Sequence, residues 1–277
     1  MKRTASVPAR INIIGEHTDR FAGLSLTFSS QHRLKLTATA CDDENRGNQT
    51  AVRLWEAAGG WPADLNVETD IPIGAGLSSS AALCVAIVLC SQNTIDPMQA
   101  SIEAQRIEHQ VLDSNCGLMD QITITHSTRG HATLLDYSEM SVEDFRIPSD
   151  WRFKLVDTGI RRSLSETDYR REKSNLESRQ EHARGESARV RAALSSDATG
   201  LGGLLNESHA SVSENVRAST PEIDSMVREI QSTPGVLGAR LMGGGFGGMI
   251  LALVEKDDAL PGEILMASDP AFVQESL

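Results

Sequence analysis

Gly74-Ala75-Gly76-Leu77-Ser78-Ser79-Ser80-Ala81-Ala82 joins two segments of the chain that have different hydrophobic patterns. Before it, residues 64–69 alternate apolar and polar side chains, which predicts a strand. After it, residues 81–90 are continuously apolar and predict a helix that the serines open. Glycines let the backbone approach a ligand closely, and a helix N-terminus offers unpaired N–H groups with a partial positive charge. The unit therefore has the features of a phosphate site.

A simpler interpretation of the same residues stays open. Serine is a favoured N-cap, so the serines could merely cap a buried helix. The stretch is not a Walker A loop, because no Gly-Lys-Ser/Thr follows it. It is not a dinucleotide fingerprint either, because Ser79 stands where the third glycine should be.

A second glycine-rich turn is Gly243-Gly244-Gly245-Phe246-Gly247-Gly248, between predicted strands at 235–241 and 249–254. Glycine loses much conformational entropy on folding, so this composition predicts positive φ angles or close backbone packing. A tight hairpin explains the turn equally well.

Further elements are read from hydrophobic periodicity and capping signals. The other predicted strands are 10–14, 33–40, 130–136 and 153–156. The predicted helices are 50–58, 78–90, 96–112, 164–194, 204–219 and one opening at Pro221, with loops at 41–48 and 198–203. This irregular order favours an α+β fold over a doubly wound sheet. Residues 148–151 are the best candidate boundary, which predicts domains 1–148 and 149–277.

Length and composition fit about two folded domains or one large domain, and they argue against several classes of partner. The chain has 277 residues, 40% of them hydrophobic, which is enough for a sizeable core. Its net charge of −12 argues against nucleic-acid binding, which usually needs a basic patch. The longest apolar run, residues 81–90, is too short to span a bilayer.

The expected location is the cytoplasm. Lys2 and Arg3 are not followed by an apolar run, so no signal peptide is expected. Cys84 and Cys90 lie inside the apolar run, and the four cysteines contain no C-x-x-C pair. We interpret them as reduced thiols rather than as disulfides or metal ligands.

Six stretches in order resemble the GHMP kinase family, and within it the galactokinases. They are PARINIIGEHTD (8–19), IPIGAGLSSSAAL (71–83), EHQVLDSNCGLMDQ with GHATLLDY (108–121, 130–137), VDTGIRRSLSETDYRRE (156–172), LLNESHAS (204–211) and LMGGGFGGM (241–249). The resemblance covers nearly the whole chain. It implies an N-terminal α/β domain, a ferredoxin-like C-terminal domain and ATP-dependent phosphorylation of the anomeric hydroxyl of a hexose.

By this resemblance the expected substrate is galactose, the product galactose 1-phosphate, and the cofactors ATP and Mg²⁺. A small-molecule sugar and ATP would be the partners, with no nucleic acid or membrane, and the sequence leaves the oligomeric state open. Two alternatives remain: a GHMP kinase for a different sugar, and a non-catalytic sensor that binds sugar or ATP.

The resemblance also assigns residues to the chemistry. The catalytic pair is Asp120 and Arg10. The sugar would be held by Glu16, His17, Asp19 and Tyr169. A carboxylate can accept the proton of a sugar hydroxyl as the P–O bond forms, and an adjacent arginine keeps that carboxylate ionised and stabilises the moving charge. Paired donors and acceptors suit a sugar.

The nucleotide side is assigned in the same way. The phosphate loop would be Gly74, Gly76, Ser78, Ser79 and Ser80, and the Mg²⁺ ligands Ser80 and Glu108. A hydroxyl and a carboxylate are the hard oxygen ligands that Mg²⁺ takes alongside phosphate oxygens. Each assigned residue also has a purely structural interpretation. Arg10 could form a surface ion pair, Glu108 could face solvent, and Tyr169 could pack over a helix. His109, His131 and His209 are interpreted as structural.

The chain departs from the galactokinase pattern at several positions. Arg20-Phe21-Ala22-Gly23 follows the EHTD motif (residues 16–19), where the family usually has Tyr-Asn-Gly-Gly, so the charge and shape of the pocket edge change. Cys84, Met242 and Met249 replace the usual Glu, Thr and Cys. Shortened segments lie between residues 40 and 64 and around 181–191.

Overall fold

A computed structural model describes residues 1–72, 76–92, 96–161 and 175–276. Two long antiparallel strands, β1 (Lys2–Ile14) and β2 (Leu24–Ala40), form the centre of the N-terminal sheet. Alternate residues of β1 from Ala5 to Ile13 have no exposed surface, as expected for a strand with one face on the core. Their connection carries the EHTD motif and a short 3₁₀-helix, Asp19–Phe21.

Four more strands complete this sheet. The further strands are β3 (Ala63–Thr69), β4 (His131–Asp136), β5 (Ser141–Arg146) and β9 (Phe272–Ser276). The order is β5-β4-β2-β1-β9, with β3 also paired to β2, and every pairing is antiparallel. The length of β2 allows its first residues to pair with β4 and its last with β3.

Four helices cover this sheet: α1 (Gln49–Ala57), α2 (Ser79–Ser91), α3 (Pro97–Leu112) and α4 (Met119–His126). Helix α2 contains the apolar run of the sequence, and eight of its 13 residues are buried. Because it lies between β1, β2 and the other helices, its N-terminus is held in one place. Asn48 and Asp96 cap α1 and α3 with side-chain hydrogen bonds.

The C-terminal part has a smaller antiparallel sheet in the order β6-β8-β7. Its elements are β6 (Arg152–Asp157), α5 (Leu176–Ala193), α6 (Ala198–Ser211), a π-helical turn (Val212–Val216), α7 (Pro221–Gln231), β7 (Val236–Leu241) and β8 (Met249–Val254). Strand β8 is buried along its whole length. The buried ammonium of Lys154 donates to the carbonyls of Asp257, Leu260 (2.6 Å) and Gly262 (2.7 Å) and so orders the chain after β8.

The α+β class with two parts is confirmed. The predicted loop 198–203 is wrong, because α6 already begins at Ala198. The helix predicted at 204–219 is present but starts earlier, and its helical turns end at Val216. The Asp197 side chain caps α6 through Gly200 N, and Gly202 lets α6 lie directly on the backbone of β7 at Leu237. The predicted helix 164–194 is seen from Leu176, while residues 162–174 lie outside the described residues.

The domain division at 148/149 stays a prediction, and β9 returns from the C-terminal part to pair with β1. All four cysteines are free thiols. In the described ranges, no helix combines the length and apolarity needed to cross a membrane.

Candidate active site

Arg10 and Asp120 form an ion pair between strand β1 and the first turn of α4. Arg10 Nε donates to Asp120 Oδ1 at 2.6 Å, and Nη2 donates to the same oxygen. Burial by itself would lower the pKa of Arg10, but the carboxylates of Asp120 and Glu16 outweigh burial and raise it. Arg10 is therefore a permanent cation beside Asp120, whose side chain keeps 23% exposure.

The second oxygen of Asp120 faces the start of α2. Ser78 is the N-cap of α2 by position and has a left-handed φ of 60°, but its hydroxyl caps no helix N–H. Instead Ser78 Oγ donates to Asp120 Oδ2 at 2.5 Å. The simple capping interpretation is thus wrong for Ser78. The first N–H groups of α2 therefore remain able to donate hydrogen bonds to a phosphate.

Gly76 of the phosphate loop contacts the same arginine. Gly76 has a φ of 73°, which an L side chain rarely adopts, and its carbonyl accepts a 3.3 Å hydrogen bond from Arg10 Nη1. Ser79 and Ser80 are the first two residues of α2, so they follow the loop directly. Gly74 lies outside the described residues.

Glu108 and Ser80 meet beside this loop, as the resemblance implies for a metal site. Ser80 Oγ donates to Glu108 Oε1 at 2.7 Å, and Gln121 Nε2 donates to Oε2 at 2.7 Å. Burial raises the pKa of Glu108, against the effect of the Ser80 hydrogen bond. Glu108 is buried in α3, so the solvent-facing interpretation is wrong. The described residues contain no cluster of three or more His, Cys, Asp or Glu able to hold a metal.

The EHTD motif lies on the other side of Asp120. Burial raises the pKa of Asp19, Arg20 opposes this, and the charge of Asp120 adds to it. A Cβ built on Gly117 would overlap Asp19 Oδ2, so this carboxylate lies against the loop before α4. Glu16 is buried, and its Oε1 accepts hydrogen bonds from Gly243 N at 2.5 Å and Arg240 Nη2 at 3.2 Å.

His17 faces α5 rather than the Arg10–Asp120 pair. Its backbone is left-handed (φ 59°), and its ring lies edge-on to His182 with 6.3 Å between the ring centroids. Burial lowers the pKa of His17 to about 4. Tyr169 lies outside the described residues. The structure thus brings Arg10, Asp120, Ser78 and Asp19 to one place, with Glu108 and Ser80 adjoining.

Two residues at this place were missed from the sequence. Tyr137 closes the motif GHATLLDY and donates to Ser25 Oγ at 3.2 Å. Burial and the charge of Asp19 raise its pKa, which places it near the site carboxylates. Arg240 precedes the glycine turn (residues 243–248) and is fully buried. An arginine inside an otherwise apolar strand before a glycine-rich turn is the signal that could have revealed it.

A cavity with a volume of about 680 Å³ lies elsewhere, between β1–β2 and residues 265–272. Its walls include Phe28, Trp151 and Phe153. None of the site residues predicted from the sequence lines it. The convergent polar groups described above, rather than this cavity, define the candidate active site.

Comparison with known proteins agrees with this arrangement. The model described as GHMP kinases N terminal domain matches residues 46–128, and the model described as GHMP kinases C terminal matches residues 190–261. Together they cover more than half of the chain. The chain therefore belongs to the GHMP kinase family.

Within that family the chain is galactokinase-like. It is 28% identical to galactokinase of Chloroflexus aurantiacus, over 92% of this chain and 84% of that protein. It is also 28% identical to galactokinase of Thermotoga maritima, over 90% of this chain and 88% of that protein.

Solved structures show the same fold. Lactococcus lactis galactokinase complexed with galactose has a TM-score of 0.84 at 22% identity, over 98% of this chain and 95% of that one. Methanococcus jannaschii mevalonate kinase has a TM-score of 0.72 at 15% identity, over 91% of this chain and 90% of that one.

Proposed function

We propose that this protein transfers a phosphoryl group from ATP to the anomeric hydroxyl of a hexose, with galactose as the first candidate. The observation that carries the proposal is the placement of Asp120 between the Arg10 guanidinium and the N-terminus of α2. The similarity to galactokinases supports galactose as the acceptor.

In this proposal Asp120 accepts the proton of the acceptor hydroxyl. The Ser78 hydroxyl already donates to Oδ2 at 2.5 Å, which supports the role because an acceptor hydroxyl needs the same contact. Arg10 favours the ionised form of the carboxylate and stabilises charge on the moving phosphoryl group. Asp19, and the Oε2 atom of Glu16, would accept hydrogen bonds from sugar hydroxyls.

The nucleotide would lie over the start of α2. Its phosphates would accept hydrogen bonds from the first N–H groups of the helix and from the loop around Gly76. Glu108 and Ser80 fit a Mg²⁺ ion, because they present a buried carboxylate and a hydroxyl 2.7 Å apart. When bound, Mg²⁺ neutralises charge on the phosphates.

The test is release of ADP from the purified protein with Mg-ATP and a panel of acceptors. The panel contains galactose, galactosamine, N-acetylgalactosamine, arabinose, glucose, mevalonate and no acceptor. Galactose-dependent release should fall by at least about 10²-fold in Asp120→Ala, the usual contribution of a general base. Asp144→Ala, at an exposed position on β5, is the matched control and should keep the wild-type rate.

A different acceptor is the second candidate, and Arg20 is the observation that favours it. Arg20 is exposed, and its guanidinium donates to the Asn115 carbonyl in the loop before α4. It therefore places a positive charge at the edge of the site beside Asp19. Release with another acceptor alone would favour this candidate. Binding of ATP with no release on any acceptor would favour a sensor.

The proposed location is the cytoplasm. Cys84 and Cys90 are buried free thiols, and Cys41 and Cys116 are free as well. Free thiols are typical of a reducing compartment.

A further inference from the structure

Arg240 connects the C-terminal sheet to the N-terminal one. It lies on β7, and its side chain has no exposed surface. Its Nε donates to the Ile13 carbonyl at 2.8 Å, and its Nη2 donates to the Asn12 carbonyl at 2.7 Å. The guanidinium thus fixes β7 to the end of β1, where the chain enters the EHTD motif.

The same guanidinium reaches a carboxylate of that motif. Arg240 Nη2 donates to Glu16 Oε1 at 3.2 Å, and this oxygen also accepts a 2.5 Å hydrogen bond from Gly243 N. A buried carboxylate needs such partners, because an unpaired buried charge is strongly unfavourable. Within the described residues nothing hydrogen-bonds Glu16 Oε2, so this second oxygen is left for a ligand.

Gly243 in turn touches the phosphate loop. A Cβ built on Gly243 would lie 3.2 Å from the Gly76 carbonyl oxygen, and φ at Gly243 is +84°. The Gly76 carbonyl accepts from Arg10 Nη1, and Arg10 holds Asp120. A continuous set of contacts therefore runs from Arg240 to the candidate catalytic carboxylate.

We propose that Arg240 and Glu16 form a positioning pair that holds the glycine turn against the phosphate loop and couples acceptor binding to nucleotide binding. The identity of the two ligands rests on the proposed function. Arg240 touches neither ligand and acts through Glu16 and Gly243. A guanidinium is suited to this, because its planar fork satisfies several fixed acceptors at once, whereas a lysine ammonium cannot match that geometry.

The test compares Arg240→Lys with the wild type by calorimetric titration of AMP-PNP, with and without saturating galactose. Without the sugar, the dissociation constant of Arg240→Lys should rise about tenfold, equal to about 1.4 kcal/mol. In the wild type, galactose should tighten AMP-PNP binding. In the variant this effect should be lost, because the contacts that join Glu16 to the glycine turn are weakened.

Lys154→Met is the matched control, because it also removes a buried cation that donates to main-chain carbonyls of the C-terminal part. It should lower the unfolding temperature without changing AMP-PNP affinity. Glu16→Gln keeps the shape of the pair and should weaken AMP-PNP binding in the same direction, so the test holds even where Arg240→Lys does not fold.

Two results would overturn the inference. One is that Arg240→Lys and Glu16→Gln both bind AMP-PNP with wild-type affinity while their unfolding temperatures fall as in Lys154→Met. Arg240 would then be a structural residue only. The other is equal tightening by galactose in wild type and variants. Failure of the proposed function has a separate readout, which is the absence of acceptor-dependent ADP release from the wild type. In that case the AMP-PNP titration without sugar still shows whether Arg240 positions the phosphate loop.

Discussion

Ser80, in the first turn of α2, donates a 2.7 Å hydrogen bond to Glu108 Oε1 inside α3. The bond joins the helix that follows the glycine-rich loop to a carboxylate with only 3% exposure. Because Gln121 holds the other oxygen of Glu108, the carboxylate has one fixed orientation toward the loop.

Glu108→Gln should weaken the dependence of turnover on Mg²⁺ and leave the fold intact. The new amide can be accommodated, because Gln121 Oε1 has no hydrogen-bond partner among the described residues and can accept from it after an amide flip. We expect the Mg²⁺ concentration for half-maximal rate to rise about tenfold, since a neutral amide is a poorer ligand than a carboxylate.

The same variant has a stability readout. Because the folded pKa of Glu108 is raised above 4.5, wild-type stability falls as pH rises from that value through the folded pKa. Glu108→Gln lacks this loss, so its unfolding temperature at pH 8 should equal or exceed that of the wild type. A clearly lower unfolding temperature, with unchanged Mg²⁺ dependence, would contradict both the metal role and the burial argument.

Gly117→Ala should impair acceptor binding selectively. Its Cβ would overlap Asp19 Oδ2 and so displace the carboxylate of the EHTD motif. The expected result is a rise of about tenfold or more in KM for the acceptor, with AMP-PNP affinity unchanged. Gly203→Ala is the control, because a Cβ there meets nothing within 4 Å in helix α6. It should stabilise the protein by about 0.5–1 kcal/mol. Unchanged acceptor KM in Gly117→Ala would show that Asp19 does not bind the acceptor.

His17 should make folding stability sensitive to acid. Its pKa is lowered from 6.5 to about 4, so the folded state binds this proton less readily than the unfolded state. Stability is then full above pH 6.5 and decreases as pH falls toward 4, by up to about 3 kcal/mol. Denaturant unfolding of wild type and His17→Asn across this range measures the difference.

His182 and His209 have pKa values lowered in the same direction by burial, so the slope in His17→Asn should be reduced and not abolished. His109→Asn, at an exposed histidine of α3, is the control and should keep the wild-type slope. Identical slopes in all three proteins would show that His17 is not the group responsible.

The sequence predicts the parts of the site that depend on local patterns. The apolar helix after the glycine–serine stretch and the strands around the glycine turn are confirmed, while the phosphate role of the stretch stays a prediction. Ser78 differs from its local expectation, because a hydroxyl that can cap a helix instead bonds a carboxylate 42 positions away in the chain. Which of these two hydrogen bonds the hydroxyl forms depends on the tertiary fold.

Helix α4 was missed for a related reason. Its centre, Ile122-Thr123-Ile124-Thr125, is β-branched throughout and has weak helix propensity. The helix forms because its turns are buried against the sheet. The buried hydroxyls of Thr123 and Thr125 are satisfied there by the carbonyls of Met119 (2.8 Å) and Gln121 (3.0 Å). Arg240 likewise has partners more than 220 residues away, which no local pattern can indicate.

Lys154 has a consequence for how this protein responds to its ionic surroundings. Its ammonium is enclosed by the carbonyl oxygens of Asp257, Leu260 and Gly262, so the positive charge that these oxygens face belongs to the chain itself. Here the cation is covalently part of the chain and cannot be exchanged or chelated. We therefore expect the segment that leads from β8 toward β9 to need no metal ion to keep its shape, and the buried amine to react slowly with acylating reagents as long as the protein stays folded.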